Sequence, residues 1–236
     1  MGFATGTIPV SRVAVLLKQA SRYLEYGKTA DADILLSRLL RSHPGNHNTL
    51  SLLGVLRYKQ KRFEEAAALF ARSLEVYPKQ PSVRLNLGLV LREQGMEAEA
   101  IVALRAAIKL KPDLVEAYFV LGNLLHKTGK LDEAEHSFRK QLQLSPGHVP
   151  AKLSLSAVLI HTKRPSESVT VLRSAMTETS DLRLIASLEE NLGIAFTKQY
   201  QLEEAANCYK RARAANPNLT YLDHRCAINR GSKVYH

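Results

Sequence analysis

The amino-acid sequence predicts an all-α fold in which helical hairpins stack as repeats. The first observation is a residue pattern that returns at a fixed interval. In residues 115–148 the pattern is Leu121-Gly122, Ala134, Phe138 and Pro146. Steps of 34 residues backwards give Leu87-Gly88, Ala100, Leu104 and Pro112, then Leu53-Gly54, Ala66, Phe70 and Pro78, and further along the chain stand Leu192-Gly193, Ala205, Tyr209 and Pro217. An interval kept by several residue types at once indicates a repeat protein.

Two apolar runs with helical spacing within each repeat are the second observation. In residues 115–148 the first run is Tyr118, Leu121, Gly122 and Leu125, and the second is Leu131, Ala134, Phe138 and Leu142. Gly129 and Pro146 interrupt the pattern after each run. Glycine inside a helix costs about 0.5–1 kcal/mol relative to alanine, so its return at position 122 indicates two helices that approach closely.

These residues resemble the tetratricopeptide repeat, which has a period of about 34 residues and the pattern W-x-x-L-G-x-x-Y…A-x-x-x-F…P. The resemblance covers nearly the whole chain and is to bacterial-type members. It implies a right-handed α-α superhelix of about six repeats with a C-terminal capping helix. The aromatic residue of the fourth position is present only as Tyr118. The other repeats carry Leu16, Leu50, Arg84, Lys152 and Glu189 there.

The repeats divide the chain from end to end. Residues 1–12 are expected to form a loose leader, and the repeats occupy 13–46, 47–80, 81–114, 115–148, 149–182 and 186–219. The fifth is degenerate, with Leu155-Ser156, Ser168 and Leu172 at its main positions. Three extra residues before the sixth are expected to lengthen the loop or the next helix by about one turn. Residues 220–236 are expected to form the capping helix and tail, unless the chain is the N-terminal part of a larger protein.

Composition and charge limit the function classes. Lys and Arg number 33 against 22 Asp and Glu, a formal net charge of +11. This charge favours acidic partners, although the cations are scattered through every repeat. The two cysteines, Cys208 and Cys226, have no disulfide framework or metal-ligand spacing. No apolar run is long enough to span a membrane, and the expected compartment is the cytoplasm.

We find no catalytic constellation, and we therefore expect neither an enzyme nor a cofactor. Gly122 and Gly129 are separated by six residues where a phosphate-binding loop needs four, and the repeat explains both. His126 and His161 are expected to approach each other across neighbouring repeats. Two ligands do not make a metal site, so no metal is expected.

The resemblance implies that the first helix of each hairpin lines a concave groove. The positions not used for packing form the predicted partner-binding set: Asn48, Leu52, Val55, Lys59, Asn86, Leu89, Arg92, Phe119, Asn123, Lys127, Asn191 and Lys198. An apolar floor, amide side chains and a basic edge suit an extended or helical peptide with acidic residues. The alternative is that the apolar members pack against the neighbouring repeat and the lysines only face solvent.

The favoured function is therefore a non-enzymatic scaffold or adaptor that binds a protein or peptide. One alternative is the substrate-recruiting region of a larger enzyme, because similar bacterial repeats often precede glycosyltransferase, sulfotransferase or methyltransferase domains. RNA binding is less favoured, since no aligned basic or aromatic stripe accompanies the net charge. We also expect that the chain can self-associate through the ends of its repeat array.

Overall fold

The computed structural model describes residues 8–223 and 225 of the chain. Within that range it has twelve α-helices and no β-strand. The helices are α1 (Val10–Glu25), α2 (Thr29–Ser42), α3 (His47–Lys59), α4 (Phe63–Val76), α5 (Pro81–Glu93), α6 (Glu97–Leu110), α7 (Val115–Lys127), α8 (Leu131–Leu144), α9 (Val149–His161), α10 (Pro165–Met176), α11 (Leu182–Lys198) and α12 (Leu202–Ala215). They form six consecutive pairs at the predicted repeat spacing, which confirms the all-α helical repeat fold.

The chain divides into two compact units, Met1–Ala117 and Tyr118–His236. In the first unit, each helix from α1 to α5 packs on its successor, and α3 also lies against α1 and α5. In the second, α8 packs on α9, each helix from α9 to α11 contacts its successor, and α9 lies against α11. We call the first helix of each hairpin the A helix and the second the B helix.

The two helices of a hairpin meet at the predicted glycine. A Cβ atom added at Gly54 would lie 2.5 Å from Cε1 of Phe70, and one at Gly122 would lie 2.6 Å from Cε1 of Phe138. Both distances are far shorter than ordinary van der Waals contact, so the ring occupies the space that any larger side chain would need. The same geometry recurs between Gly88 and Leu104 at 2.8 Å and between Gly193 and Tyr209 at 2.4 Å.

The first and fifth hairpins use a different pair at the same place. Ala20 and Ser156 replace the glycine, and the bulky partners are Leu36 and Leu172; all four are fully buried. In these two hairpins the A-helix residue has a β-carbon, and the B-helix residue that faces it is a leucine and not an aromatic residue. The small B-helix position that packs beside them is also fully buried in every hairpin, as Ala32, Ala66, Ala100, Ala134, Ser168 and Ala205.

Each hairpin turn contains one residue with a positive φ angle. Three turns use glycine, namely Gly27, Gly95 and Gly129, and three use Lys61, Lys163 and Tyr200, with φ of 60°, 60° and 61°. This left-handed conformation costs a residue with a β-carbon about 1–2 kcal/mol. The non-glycine turns therefore carry backbone strain that the glycine turns avoid.

Two helix boundaries differ from the repeat spacing. The predicted leader ends too late, because α1 begins at Val10 after the extended Pro9, and Ile8 is already buried. The three extra residues before the sixth repeat lengthen the A helix as expected: α11 has 17 residues where α9 has 13. Asp181 starts α11, accepting hydrogen bonds from the amides of Arg183 and Leu184.

The predicted capping segment is described only in part. The chain is helical again at Leu222, Asp223 and Arg225, and Leu222 is fully buried in a cluster with Tyr209 and Ala212. Leu222 therefore packs on the last hairpin, and the role of residues 220–236 as a terminal cap stays a prediction. The rest of it, including Cys226, lies outside the described residues.

The close helix contact predicts that Gly122→Ala destabilises the protein. The new methyl group would overlap the ring of Phe138, and overpacking of this kind lowers the free energy of unfolding by about 1–3 kcal/mol. Gly147→Ala is the matched control, since its added Cβ meets nothing within 4 Å. Urea denaturation should show the loss at position 122 alone. In a Phe138→Leu background the glycine substitution should cost less, and an equal cost in both backgrounds would contradict the overlap.

The strained turns predict a stabilising substitution. Tyr200→Gly should raise the free energy of unfolding by about 0.5–1 kcal/mol, because relief of the left-handed strain exceeds the added chain entropy. Tyr200 is 89% exposed, so few contacts are lost. Gly129→Ala, at the equivalent turn, should change stability in the opposite direction. Thermal unfolding of both variants checks the pair, and a lower melting temperature for Tyr200→Gly would refute the strain.

Candidate protein-binding surface

The predicted partner-binding set lies on the A helices, and none of its twelve members is fully buried. The helical period explains this placement, because the Leu-Gly positions face the B helix and leave other sides of the A helix uncovered. We describe the members on α3 and α5 as the unit 1 surface. Those on α7 and α11 form the unit 2 surface.

Apolar members of the unit 1 surface are partly used in packing. Leu52 and Val55 are half-buried and lie against the cluster that contains Ala20, Leu24 and Leu36. Val55 also contacts the next cluster, around Phe70 and Val83. The alternative of packing against a neighbouring repeat therefore applies to these two side chains. Leu89 and Asn86 are half-buried, and Asn48 is exposed.

The cations of unit 1 stand in the last turns of their A helices. Lys59 is exposed and donates from Nζ to the backbone carbonyl of Leu24 at 3.2 Å, at the end of the preceding A helix. The carbonyl of Leu24 also accepts a backbone hydrogen bond of 3.4 Å from the amide of Gly27, and carbonyls at the C-terminal end of a helix attract cations. Arg92 is half-buried and forms an ion pair with its neighbour Glu93 at 2.6 Å.

In unit 2, Phe119 and Asn123 contact residues of adjacent elements. The ring of Phe119 lies 6.3 Å from that of Phe138 and 5.0 Å from that of His148, edge-on to the histidine. The carboxamide oxygen of Asn123 accepts a hydrogen bond of 3.1 Å from the hydroxyl of Ser154 on α9. Both side chains are half-buried and keep one side open.

Two of the three remaining members of the unit 2 surface are exposed. Lys127 and Lys198 occupy the last turns of α7 and α11 and are exposed. Asn191 is half-buried and donates from Nδ2 to the backbone carbonyl of Ser187 in its own helix, at 3.0 Å. The basic residues of both units therefore stand in the last turns of their helices. Lys59 and Lys127 are at equivalent positions, whereas Arg92 comes one residue before the equivalent position.

His126 and His161 lie together, as the sequence predicts. Nε2 of His126 is 2.9 Å from Nδ1 of His161, so one imidazole donates a hydrogen bond to the other. Burial and, secondarily, the nearby His161 lower the pKa of His126, which favours its neutral form. Among the described residues no group of three or more His, Cys, Asp or Glu side chains could hold a metal ion.

The sequence reasoning missed two contributions to the unit 2 surface. No residue of α9 was included, yet Ser154 contacts the member Asn123, and His161 contacts His126 on the same helix α7. Counting the same helical positions along the degenerate fifth repeat would have found His161. The second omission is Tyr221, whose hydroxyl donates a hydrogen bond of 2.8 Å to the carboxylate of Glu190 on α11. No periodic signal points to Tyr221, because it follows the last repeat.

The thiol of Cys208 on α12 is not a reactive group. Burial raises the pKa of the Cys208 thiol to about 12, and a thiol that stays protonated is a poor nucleophile. No described helix combines the length and the apolar composition that crossing a bilayer requires.

The stacked hairpins with a small residue facing a bulky one define a helical repeat protein. Three family models match this chain, and each match covers residues within the repeat array. Two models of the tetratricopeptide repeat match residues 17–82 and 115–148, and a TPR repeat model matches 88–129. Together they cover more than half of the chain. The chain belongs to the tetratricopeptide repeat family.

Solved structures show the same fold at low sequence identity. YrrB, described as a TPR protein with an unusual peptide-binding site, is 15% identical with a TM-score of 0.72, over 80% of this chain and 96% of its own. PilF of Pseudomonas aeruginosa is 20% identical with a TM-score of 0.72, over 86% and 91%. MamA of Desulfovibrio magneticus is 18% identical with a TM-score of 0.65, over 70% and 93%. A comparison with curated proteins gives no match.

Proposed function

We propose that this chain is a non-enzymatic scaffold that binds a partner peptide or protein along the exposed side of its A helices. The observation that carries the proposal is the recurrence of a cation in the last turn of α3, α5, α7 and α11, as Lys59, Arg92, Lys127 and Lys198. Half-buried apolar and amide side chains precede these cations on the same helices. Membership of the tetratricopeptide repeat family supports the scaffold role.

The chemistry of the two surfaces favours an acidic partner. The chain carries a net charge of +11, and basic side chains attract acidic segments and orient them during encounter. Asn48, Asn86 and Asn191 offer amide groups that can pair with a peptide backbone of any sequence. YrrB, which has the same fold, is described as having a peptide-binding site, and this supports a peptide as the partner.

Packing limits how the surfaces can bind. Leu52, Val55 and Phe119 already contact neighbouring elements, so only their open sides are available to a partner. Affinity would therefore come from shallow apolar contact along each A helix, and selectivity would come from the basic last turns. It does not need a deep pocket.

A selection from a displayed peptide library tests this function. We expect the selected peptides to be enriched in Asp and Glu. Their affinity for Lys127→Glu/Lys198→Glu should be at least about tenfold lower than for the wild type, because attraction becomes repulsion. Added salt should weaken wild-type binding by screening. Lys59→Glu/Arg92→Glu gives the same test for the unit 1 surface.

A control variant distinguishes the effect of where the charges are changed from the effect of the change in net charge. Lys109→Glu/Lys140→Glu changes the total charge equally, but on exposed positions of the B helices α6 and α8. This variant should keep wild-type affinity. Melting temperatures must be measured for all variants, since last-turn cations also stabilise helix ends. Equal losses in the A-helix and B-helix variants, or no acidic enrichment, would refute the proposed surface.

A further inference from the structure

A hollow on the outer side of α1 is separate from the surfaces described above. Its volume is about 510 Å³. The residues that line it are Val15, Lys18, Gln19, Arg22, Tyr23, Tyr26 and Lys28. Val15 is 66% exposed and Tyr26, which directly follows α1, is 77% exposed, so the hollow has apolar surface open to solvent.

The equivalent positions of the next two A helices show what this side of an A helix packs against. Val15 and Arg22 correspond to Thr49 and Leu56 in α3 and to Val83 and Val90 in α5; these four are all buried, three of them at 0% and Val83 at 4% exposure. In α5, Val83 and Val90 belong to a cluster with Phe70 of α4, the B helix of the preceding hairpin. The outer side of α1 therefore has the form of a helix-binding surface, without a helix on it in the described part of the chain.

The charges at this surface set it apart from its equivalents. Arg22 stands where α3 has Leu56 and α5 has Val90, and Lys18 and Lys28 lie beside it. No carboxylate of the described residues forms an ion pair with any of these three cations. Gln19 donates to the hydroxyl of Tyr23 at 2.7 Å, which holds that ring at the hollow.

We propose that the outer side of α1 binds an acidic amphipathic helix of another protein. Its apolar stripe would pack on Val15, Tyr23 and Tyr26, as a B helix packs on the next A helix. Its carboxylates would pair with Lys18 and Arg22, and this charge match is the reason for choosing an acidic partner. The interaction involves different helical positions from the A-helix surfaces and does not depend on them.

Two other occupants fit the charges less well. Residues 1–7 contain no Asp or Glu, so this segment offers nothing to pair with the three cations. A second copy joined by twofold symmetry would place the same cations opposite each other or close together, and like charges at an interface are unfavourable. Both remain measurable outcomes.

The helix α4 supplies a probe of the required chemistry. It packs on α5 at the equivalent surface and contains three glutamates and one arginine within FEEAAALFARSLEV. A fluorescent, helix-stabilised peptide of this sequence should bind the full-length protein in an anisotropy titration. A peptide with its glutamates changed to glutamine should bind about tenfold more weakly, as should the acidic peptide with Arg22→Glu protein. Arg38→Glu, at an exposed position of α2, is the charge-matched control, and this variant should bind the acidic peptide with wild-type affinity.

Defined results would overturn this proposal. Equal binding of the acidic and glutamine peptides, or no binding of either, would do so, and so would equal losses for Arg22→Glu and Arg38→Glu. Binding that appears only after residues 1–7 are removed would assign the surface to the chain's own N-terminus. Concentration-dependent dimerisation that Tyr26→Ser abolishes would assign it to a second copy. Melting temperatures confirm that each variant is folded.

Discussion

The close approach of the two helices in each hairpin is the constraint on which the rest of the structure depends. A small A-helix residue faces a bulky B-helix residue 16 positions later, as Gly122 faces Phe138. The pair fixes how near the helices come, and helical geometry then determines which sides remain for the neighbouring hairpins. The outward positions of the A helices are a consequence of this single contact. The binding surfaces proposed above are made of the positions that it leaves uncovered.

The fold was predictable from the sequence because this contact repeats. The spacing of Leu-Gly, Ala and the bulky residue identified both helices of every hairpin, including the degenerate fifth one. Helix ends were less predictable, since local capping determines them. Pro9 starts α1 earlier than the repeat spacing indicates, and Asp181 starts α11 through side-chain hydrogen bonds. Neither residue belongs to the periodic pattern.

The sequence was enough to predict which positions of the A helices carry the candidate residues, but it was not enough to predict the contacts of their side chains. Counting along the A helices found side chains that are indeed not fully buried, and the spacing of His126 and His161 correctly placed two imidazoles together. It could not show that Lys59 reaches the carbonyl of Leu24 or that Asn123 pairs with Ser154. Those contacts depend on rotamers and on partners in another hairpin, and such partners do not recur with the repeat.

In a repeat protein, a comparison of equivalent positions in different hairpins distinguishes residues that serve packing from residues that have another role. A residue type that returns in every hairpin, such as the buried small residue at Ala66 and Ala134, is explained by packing alone. A position where one hairpin departs from its neighbours needs a different explanation. Arg22 is such a departure, because α3 and α5 bury Leu56 and Val90 there. Loss of a packing neighbour would account for a polar residue at this position. It does not account for Val15 and Tyr26 remaining exposed beside unpaired cations, and that combination is what a helix-binding surface for an acidic partner requires.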